Sequence, residues 1–554
     1  MKRLVMLLLV TVIVTGGLFA NGESEEGAMA GRPSLSIWVD QAPPPVALDE
    51  TPGGKLLEEA LGADIEWEYT VGEASQAAGI ILASGDYPDA VACGNKEINM
   101  FVNAGVYTDL TDYMKNSPML DRYYPQSYLD AHYANESGEV PWLSNGVPGP
   151  PSLDFPGGGW FIQQEVLEFG GYPEYLNFDE YIELLRDYAE ANPEINGHKT
   201  YAWIFQNNTW QFDTLTNPTA ELYGYIGSKG IKFEMVDGKW DVSIQLATDQ
   251  EKYFLKKLNE LFVDGLLDQE SFVHNQEQYQ AKLAQGNYLG GYGYSYQHGS
   301  PENALREQGM GMHRWVGVPV SYEEDITPTY RVTGSAGING GFAIMPDTED
   351  PDLVWDVFVE RWLSDDAISA RWWKIPGETY SIADDGTYYM TEAQMEDYYS
   401  KTIREDYMVG RVSGGRWLPY ASGLYKLKNG SYVRPEYHPE IVGYRFQRTP
   451  EDRAFLEAYN INAPGELWEP MDMPSHGHSW NMSFDKDELA DQEEWDEFRR
   501  RWYPRLILAE SGEFESVWSE YEDAYEDVDL SDWLARVEFV ANERRKANNP
   551  VLNP

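Results

Sequence analysis

Past residue 32 the hydrophobic pattern switches repeatedly between a strand period and a helix period. Residues 35–39 (LSIWV), 65–69 (IEWEY) and 88–92 (PDAVA) read as short strands. The stretches 54–61, 74–83 and 97–104 read as helices, the second ending near Gly85. Strands alternating with helices at this spacing predict an α/β domain with a largely parallel sheet. Residues 107–114 (YTDLTDYM) supply surface structure, and the Gly- and Pro-rich stretch 145–159 suits a crossing, a hinge or a surface loop.

A second set of elements follows. Residues 160–169 and 178–191 read as parts of a second domain, with Asp179 and Glu180 in the first turn of the latter helix, where acids favour the dipole. Residues 251–262 (EKYFLKKLNELF) form a strongly periodic amphipathic helix closed by Asp264 and Gly265. A helix over 279–284, a glycine-aromatic run over 288–294, a strand over 341–345 and a helix over 353–363 come next. The tail predicts two helices, 488–501 and 515–542. No repeat of fixed period stands out.

The amino terminus adds a destination. Lys2 and Arg3 precede an apolar stretch, residues 4–14, that is too short to span a bilayer comfortably. Gly16 and Gly17 break it, and Ala20 offers a small residue before a cut near Asn21. This reads as a signal peptide over residues 1–20 and a flexible leader over 21–32, hence a periplasmic or secreted protein; the competing reading is a retained membrane anchor. The single cysteine, Cys93, lies far from the signal. No cysteine is available to carry a lipid at the new amino terminus, so a lipoprotein is not expected, and no internal disulfide can form.

With 554 residues the chain has room for two or three domains. It carries 92 acidic and 41 basic residues, a formal charge of -51, and such a surface repels nucleic acid and anionic membrane. The acids are spread along the whole chain. That fits solubility in a salty environment better than one cation or metal site, and a local basic pocket for an acidic ligand stays compatible with it.

Four segments carry a family resemblance: 80–89 (IILASGDYPD), 178–181 (FDEY) with Leu184 and Leu185, 253–268 (YFLKKLNELFVDGLLD) and 282–286 (KLAQG). In these the chain resembles the extracellular solute-binding proteins of ABC sugar importers, above all their large oligosaccharide-binding branch, which includes alginate-binding proteins. The resemblance spans about residues 33–542. It implies a two-lobed α/β fold, periplasmic-binding-protein-like and of type II, with discontinuous lobes, a ligand cleft between them and a helical carboxy-terminal region. The first lobe would comprise 33–150 and a return segment 336–400; the second would comprise 151–335 and 401–554. It further implies that sugar closes the lobes, that the closed monomer docks on transmembrane permease subunits, and that no chemical step or cofactor is involved. The alginate-binding relatives have a calcium loop. Here the matching stretch, 192–201 (NPEINGHKTY), keeps Asn192, Glu194 and Asn196 as candidate oxygen ligands but has lost most of its carboxylates. A turn retained without metal is expected.

Sugar rings offer apolar C–H faces to aromatic rings and hydroxyls to amides, carboxylates and Arg. The chain has 19 Trp and 38 Tyr. Trp38 follows the first strand, where α/β crevices form. Asp86 sits in the family loop as a hydroxyl acceptor or a local cap. Trp160 follows three glycines at the crossing. Trp203 and Trp210 flank Gln206, Asn207 and Asn208, and Tyr292 and Tyr294 lie in the glycine-aromatic run. Trp372, Trp373 and Lys374 form one aromatic-basic group and Arg416 with Trp417 another, each able to stack a sugar and pair a carboxylate. Asn339 with Gly340 and Gly341 offers an amide and accessible backbone. For every one of these the competing reading is core or surface packing. His476 and His478, with Asp472 and His438 as partners, read as a polar loop rather than a metal site. The functional alternative is a secreted glycoside hydrolase or polysaccharide lyase, whose paired acids need not be close in sequence. No G-x-S-x-G elbow, H-E-x-x-H helix or phosphate-binding glycine loop is present.

Overall fold

The computed structural model describes residues 31–548, apart from 45, 125, 127–128, 130–137, 146–152, 207–208, 328–339, 400–416, 424 and 469–485, with main chain alone at 209–210, 486–492, 540 and 543–548. The signal peptide, most of the leader, Asn207, Asn208, Asn339, Arg416, His476 and His478 lie outside the described residues.

The chain opens with β1 (Ser34–Val39), α1 (Pro52–Leu61), β2 (Asp64–Tyr69), α2 (Ala74–Ser84), β3 (Ala90–Gly94) and α3 (Asn95–Asn103). Local chemistry sets these boundaries. Thr51 accepts from the Gly54 N–H to start α1, and Gly62, at φ 62°, ends it in the left-handed conformation that glycine adopts without strain. β1 pairs in parallel with β2 and β3. The strand β4 (Leu143–Ser144) joins this sheet at its far edge.

The chain then builds a second sheet from β5 (Gly158–Gln163), β6 (Tyr201–Trp203), β10 (Tyr288–Tyr294) and β11 (Trp315–Gly317), in the order β11-β5-β10-β6. Between β5 and β6 runs α4 (Phe178–Ala191), started by a reciprocal capping box between Asn177 and Glu180. After β6 come α5 (Asp213–Glu221) and an antiparallel meander, β7 (Ile226–Ser228), β8 (Ile231–Val236) and β9 (Lys239–Ile244). The helices α6 (Asp249–Val263) and α7 (Gln276–Leu283) complete this part. The chain returns to the first sheet as β12 (Gly340–Ile344), antiparallel to both β3 and β4. The first sheet is therefore mixed, because β12, returning from the other lobe, runs against its neighbours β3 and β4, which share the direction of β1 and β2. The tail supplies α8 (Lys486–Ile507), α9 (Phe514–Tyr525) and α10 (Ser531–Asn548). The single helix expected over 515–542 is two: Asp529 accepts from both the N–H and the hydroxyl of Ser531, a side-chain turn that stops one helix and starts the next.

Each lobe has its own core. In the first, alternation along β1 sends Ile37 and Val39 to one face, with Leu57, Phe342, Phe358 and Trp362, and Trp38 to the other, with Val91, Cys93 and Phe101. In the second, Trp160, Phe178, Tyr181, Trp203, Phe254 and Tyr292 pack together, and the tail joins them through Trp495, Tyr503 and Trp518. Trp417, Leu418, Ala421, Leu427 and Val433 belong to the first core. Residues 417–433, and Tyr437 after them, therefore pack with the first lobe rather than the second. No helix among the described residues is long and apolar enough to cross a membrane.

Candidate functional site

Strand direction locates the crevice. In the first lobe β1 and β3 end at Val39 and Gly94, and Gly94 faces Gly340, the first residue of β12, while Ser144 at the end of β4 faces Gly341. Two of the three connections to the other lobe therefore depart from the carboxyl edge of β1 and β3. In the second lobe β5 starts at Gly158 opposite Tyr294, the last residue of β10, and β6 runs parallel to β10. The carboxyl ends of β6 and β10 thus gather where the chain arrives from the first lobe. In open α/β sheets this edge is where ligands sit.

The first lobe lines that edge with Asp40, Gln41 and Asn95, which follow β1 and β3, and with two indoles. A Cβ on Gly340 would lie 2.6 Å from Trp417, and one on Gly341 would lie 2.5 Å from Trp142. The paired glycines therefore make room for two rings, one on each side of β12. Trp417 Nε1 donates to the Asp40 carbonyl at 3.3 Å, which fixes the ring over Gly94 and Gly340.

The second lobe lines the edge with polar groups. Gln206 follows β6, and its Oε1 accepts from Gln297 at 2.6 Å. α5 is buried along its whole length although its sequence, DTLTNPTAE, is mostly polar. Asp213, Thr214, Asn217 and Glu221 share one face by helical spacing. Glu221 accepts from the Tyr292 hydroxyl at 2.6 Å. Asp213 Oδ2, Thr214 Oγ1, Asn217 Oδ1 and Gln206 Nε2 are buried without a hydrogen-bond partner. Buried polar groups ordinarily find partners, so such a cluster marks a place where a ligand or water completes them. Burial raises the Glu221 carboxyl to about 7, offset by the Tyr292 hydrogen bond, and the Asp213 carboxyl to about 6, offset by Arg499 and Lys229. Tyr294, half-buried at the end of β10, is raised by burial and then by Asp213 and Glu221, and it stacks on the exposed Tyr296 at 6.1 Å.

The expected site residues separate into three groups. Trp417, buried in the first core, and the half-buried Tyr294 stand at the crevice edge. Trp38, Trp160, Trp203, Tyr292 and Trp373 are core residues and present no face to a ligand. Trp38 lies inside β1 rather than beyond it and packs on Phe101. Trp160 and Trp203 touch each other at 5.9 Å. Trp373 donates to the Tyr432 carbonyl within a core of Tyr380, Met390 and Ile441. Trp372 is half-buried, and the cation on its face is Arg434, 4.0 Å from the ring centroid, rather than Lys374. Asp86 is exposed but precedes β3, on the edge opposite the crevice. The structural acid of that loop is Asp89, which accepts from Ser36 and Thr348. Trp210 falls in the short turn Thr209–Phe212 that leads into α5.

The glycine-aromatic run has a packing cause. A Cβ on Gly290 would lie 2.5 Å from the Tyr181 hydroxyl, which donates to the Phe161 carbonyl at 2.6 Å and accepts from the Gly291 N–H at 2.8 Å. A groove of about 510 Å³ among α4, α6 and the start of α9 shares no residue with the crevice edge. Its charges pair with one another, Arg186 with Asp264, Lys257 with Asp179 and Lys256 with Glu515.

Two places bear on metal binding. In the loop of Asn192, Glu194 and Asn196, a small hairpin forms between Glu194–Ile195 and His198–Lys199. The Asn196 amide donates to Gln285 O and Gln308 Oε1, and the Asn192 carbonyl accepts from the Thr200 hydroxyl. These groups hold the turn to its neighbours instead of converging on a cation. Elsewhere Asp268, Glu270 and His274 bring ligand atoms within 4.8 Å of one another. The Lys282 ammonium bridges the two carboxylates, at 2.5 and 2.6 Å, and supplies the positive charge itself.

The fold is that of the two-lobed solute-binding proteins of ABC transporters. Three solved structures share it. One is the HMO-binding ABC-transporter-associated solute-binding protein of Bifidobacterium longum infantis, with TM-score 0.62, 14% identity, and coverage of 93% of this chain and 99% of that one. Another is the alginate-binding protein AlgQ2 without calcium ion, with TM-score 0.59, 16% identity and coverage of 93% and 98%. The third is the ABC-transporter substrate-binding protein FusA of S. pneumoniae in complex with kestose, with TM-score 0.59, 14% identity and coverage of 93% and 100%. No protein-family profile and no curated protein matches the chain by sequence.

Proposed function

We propose that the chain is the exported binding component of an ABC importer, capturing an oligosaccharide between its lobes and delivering it to permease subunits. One observation carries this reading. The carboxyl ends of the parallel strands in both lobes open onto the edge where the chain crosses, with indoles on one side and unpartnered buried polar groups on the other. That pairing of an apolar face with hydroxyl-seeking atoms is what a sugar ring requires. The shared fold of the HMO-binding, alginate-binding and kestose-bound proteins supports it. Lobe closure over the ligand stabilises the closed state by mass action and raises the melting temperature. The amino-terminal pattern supports export, and the shared fold with binding proteins supports binding.

Native mass spectrometry of the mature protein with a mixed panel of neutral and acidic oligosaccharides tests the proposal. An adduct of intact glycan mass is expected. Shortened or unsaturated products would instead make the protein a carbohydrate-active enzyme.

A further inference from the structure

We infer that Arg371 and Arg434, in the first lobe close to the crevice edge, hold a carboxylate carried by one unit of the sugar, so that the ligand is an acidic oligosaccharide. The inference rests on the oligosaccharide-binding proposal and specifies its ligand.

The two arginines stand together and neither meets an acid. Arg371, in the helical turn Ser369–Trp373, is 2% exposed. Its Nε donates to the Ala367 carbonyl at 3.2 Å and its Nη2 to the Trp362 carbonyl at 2.7 Å, while Nη1 is buried without a partner. Arg434 is half-buried, its guanidinium 4.0 Å from the Trp372 ring centroid and 4.7 Å from that of Tyr420. Its Nε is buried without a partner, and no described residue accepts a hydrogen bond from it. Burial lowers the Arg371 guanidinium below its ordinary value; Tyr420 opposes this, Arg434 adds to it and Tyr124 opposes it, and no carboxylate is among these groups.

Aromatic rings cover the faces of a guanidinium and leave the N–H groups in its plane unused. The edge of Arg434 is therefore open, and a planar carboxylate fits such an edge with two parallel hydrogen bonds. Two like charges side by side in a partly dry site also call for a counter-charge. The chain has acids to spare, 92 against 41 basic residues, and Arg122, Arg314, Arg361 and Arg448 each pair with one. Glu436, two residues beyond Arg434, instead accepts from the Tyr398 hydroxyl at 2.6 Å and acts on Arg445. The counter-charge is thus left for the ligand to bring. The position suits it. The Pro419 carbonyl accepts from Trp362 Nε1 at 3.0 Å, which ties residues 417–420 to the ring that Arg371 covers at 4.1 Å. Tyr420 follows Trp417 by three residues, a span of at most about 11 Å. An oligosaccharide lying along the crevice edge at Trp417 can therefore reach both arginines.

Titration calorimetry of the full mature protein tests the inference, with a panel of short oligouronates, the same oligomers after reduction of their carboxyls to alcohols, and inorganic sulfate and phosphate. At least one oligouronate should bind about 10-fold or more tightly than its reduced form. Arg434→Gln should bring that ratio close to one. Arg434→Lys keeps the charge without the planar fork and should fall between the two. Arg448→Gln, which removes the same charge from an exposed ion pair with Glu396, should leave the ratio unchanged. Circular dichroism and melting temperature confirm that each variant is folded, and the wild-type comparison needs no variant. Equal or tighter binding of the reduced form overturns the inference while leaving the binding function intact. So does a ratio that folded Arg434→Gln preserves, or binding of sulfate or phosphate alone that excludes the glycan. If no glycan of any charge binds, or if glycans are cleaved, the functional proposal fails and this inference fails with it.

Discussion

Replacing Glu251 with glutamine tests how the carboxy-terminal helices are held to the second lobe. Glu251 is fully buried in the first turn of α6. It accepts hydrogen bonds from the Tyr503 hydroxyl in α8, from the Tyr521 hydroxyl in α9 at 2.9 Å and from the Ala247 N–H at 2.8 Å. One side chain therefore ties three helices together. Burial pushes its carboxyl from the ordinary 4.5 up to about 8, and the three hydrogen bonds offset only part of that. Between these two values the native protein keeps a proton that the unfolded chain has released. The stability contributed by this group is complete below pH 4.5 and is lost as pH rises through about 8. At about 1.4 kcal/mol per pH unit, that interval corresponds to roughly 5 kcal/mol. Glutamine does not titrate, so the variant lacks this slope. The assay is hydrogen exchange of residues 495–525 at pH 5, 6, 7 and 8, corrected for intrinsic rates. The opening free energy of the wild type should fall toward pH 8 by about 1 kcal/mol per pH unit more than that of Glu251→Gln. Asp213 and Glu221, raised to about 6 and about 7, act in the same direction in both proteins, so the difference between the two isolates Glu251. Parallel profiles would refute the reasoning.

Gly290→Ala should destabilise the second lobe by about 2–4 kcal/mol in chemical denaturation, because the new methyl would displace the Tyr181 hydroxyl from its bridge between β5 and β10. A loss below 0.5 kcal/mol would contradict that packing. Millimolar calcium or excess chelator should leave the melting temperature unchanged, since Glu194 is the only acid in the 192–201 turn and the Asn196 amide is engaged as a donor; a rise of several degrees with calcium would show a site. Cys93 is buried, and burial followed by Asp40 and Glu97 raises its thiol well above 9, so a thiol reagent at neutral pH should label it only after denaturant is added. Rapid labelling of the native protein would show that the face of Trp38 and Phe101 opens.

Elements whose signals are local were legible in the sequence. The helix over 178–191 is found as Phe178–Ala191, because the capping pair Asn177 and Glu180 and the spacing of Phe178, Tyr181, Ile182, Leu185 and Tyr188 lie within that one segment. The strands at 35–39 and 65–69 were equally readable from short runs of apolar, β-branched and aromatic residues. The meander of β7, β8 and β9 was missed, although Asp237 and Gly238 between two alternating runs signal a hairpin. α5 was missed for a different reason. DTLTNPTAE has no helical stripe of apolar residues, and its burial comes from the strands and tail helices packed around it.

The site was legible as a chemistry but not as a place. Abundant indoles and phenols suggested sugar, yet Trp38, Trp160, Trp203 and Trp373 are core while Trp417 and Trp142 reach the crevice edge. A Trp has the same composition signal in either setting, and only the pairing of strands decides which face it takes. Asp86 and Asp89 show the same limit: they are three residues apart in one motif, and β3 places both at the edge opposite the crevice.

The sequence by itself determined the alternation of strands and helices, the α/β class and the acidic balance, because these follow from short-range periodicity and from sums over composition; the two-lobed arrangement was implied only by the family resemblance. Only the tertiary structure decided the mixed order of the first sheet, the packing of residues 417–433 in the first lobe, and the meeting of Gln206, Asp213 and Tyr294 at one edge. Those depend on contacts between segments tens to hundreds of residues apart, and local propensity carries no information about which distant segment will cover a given face.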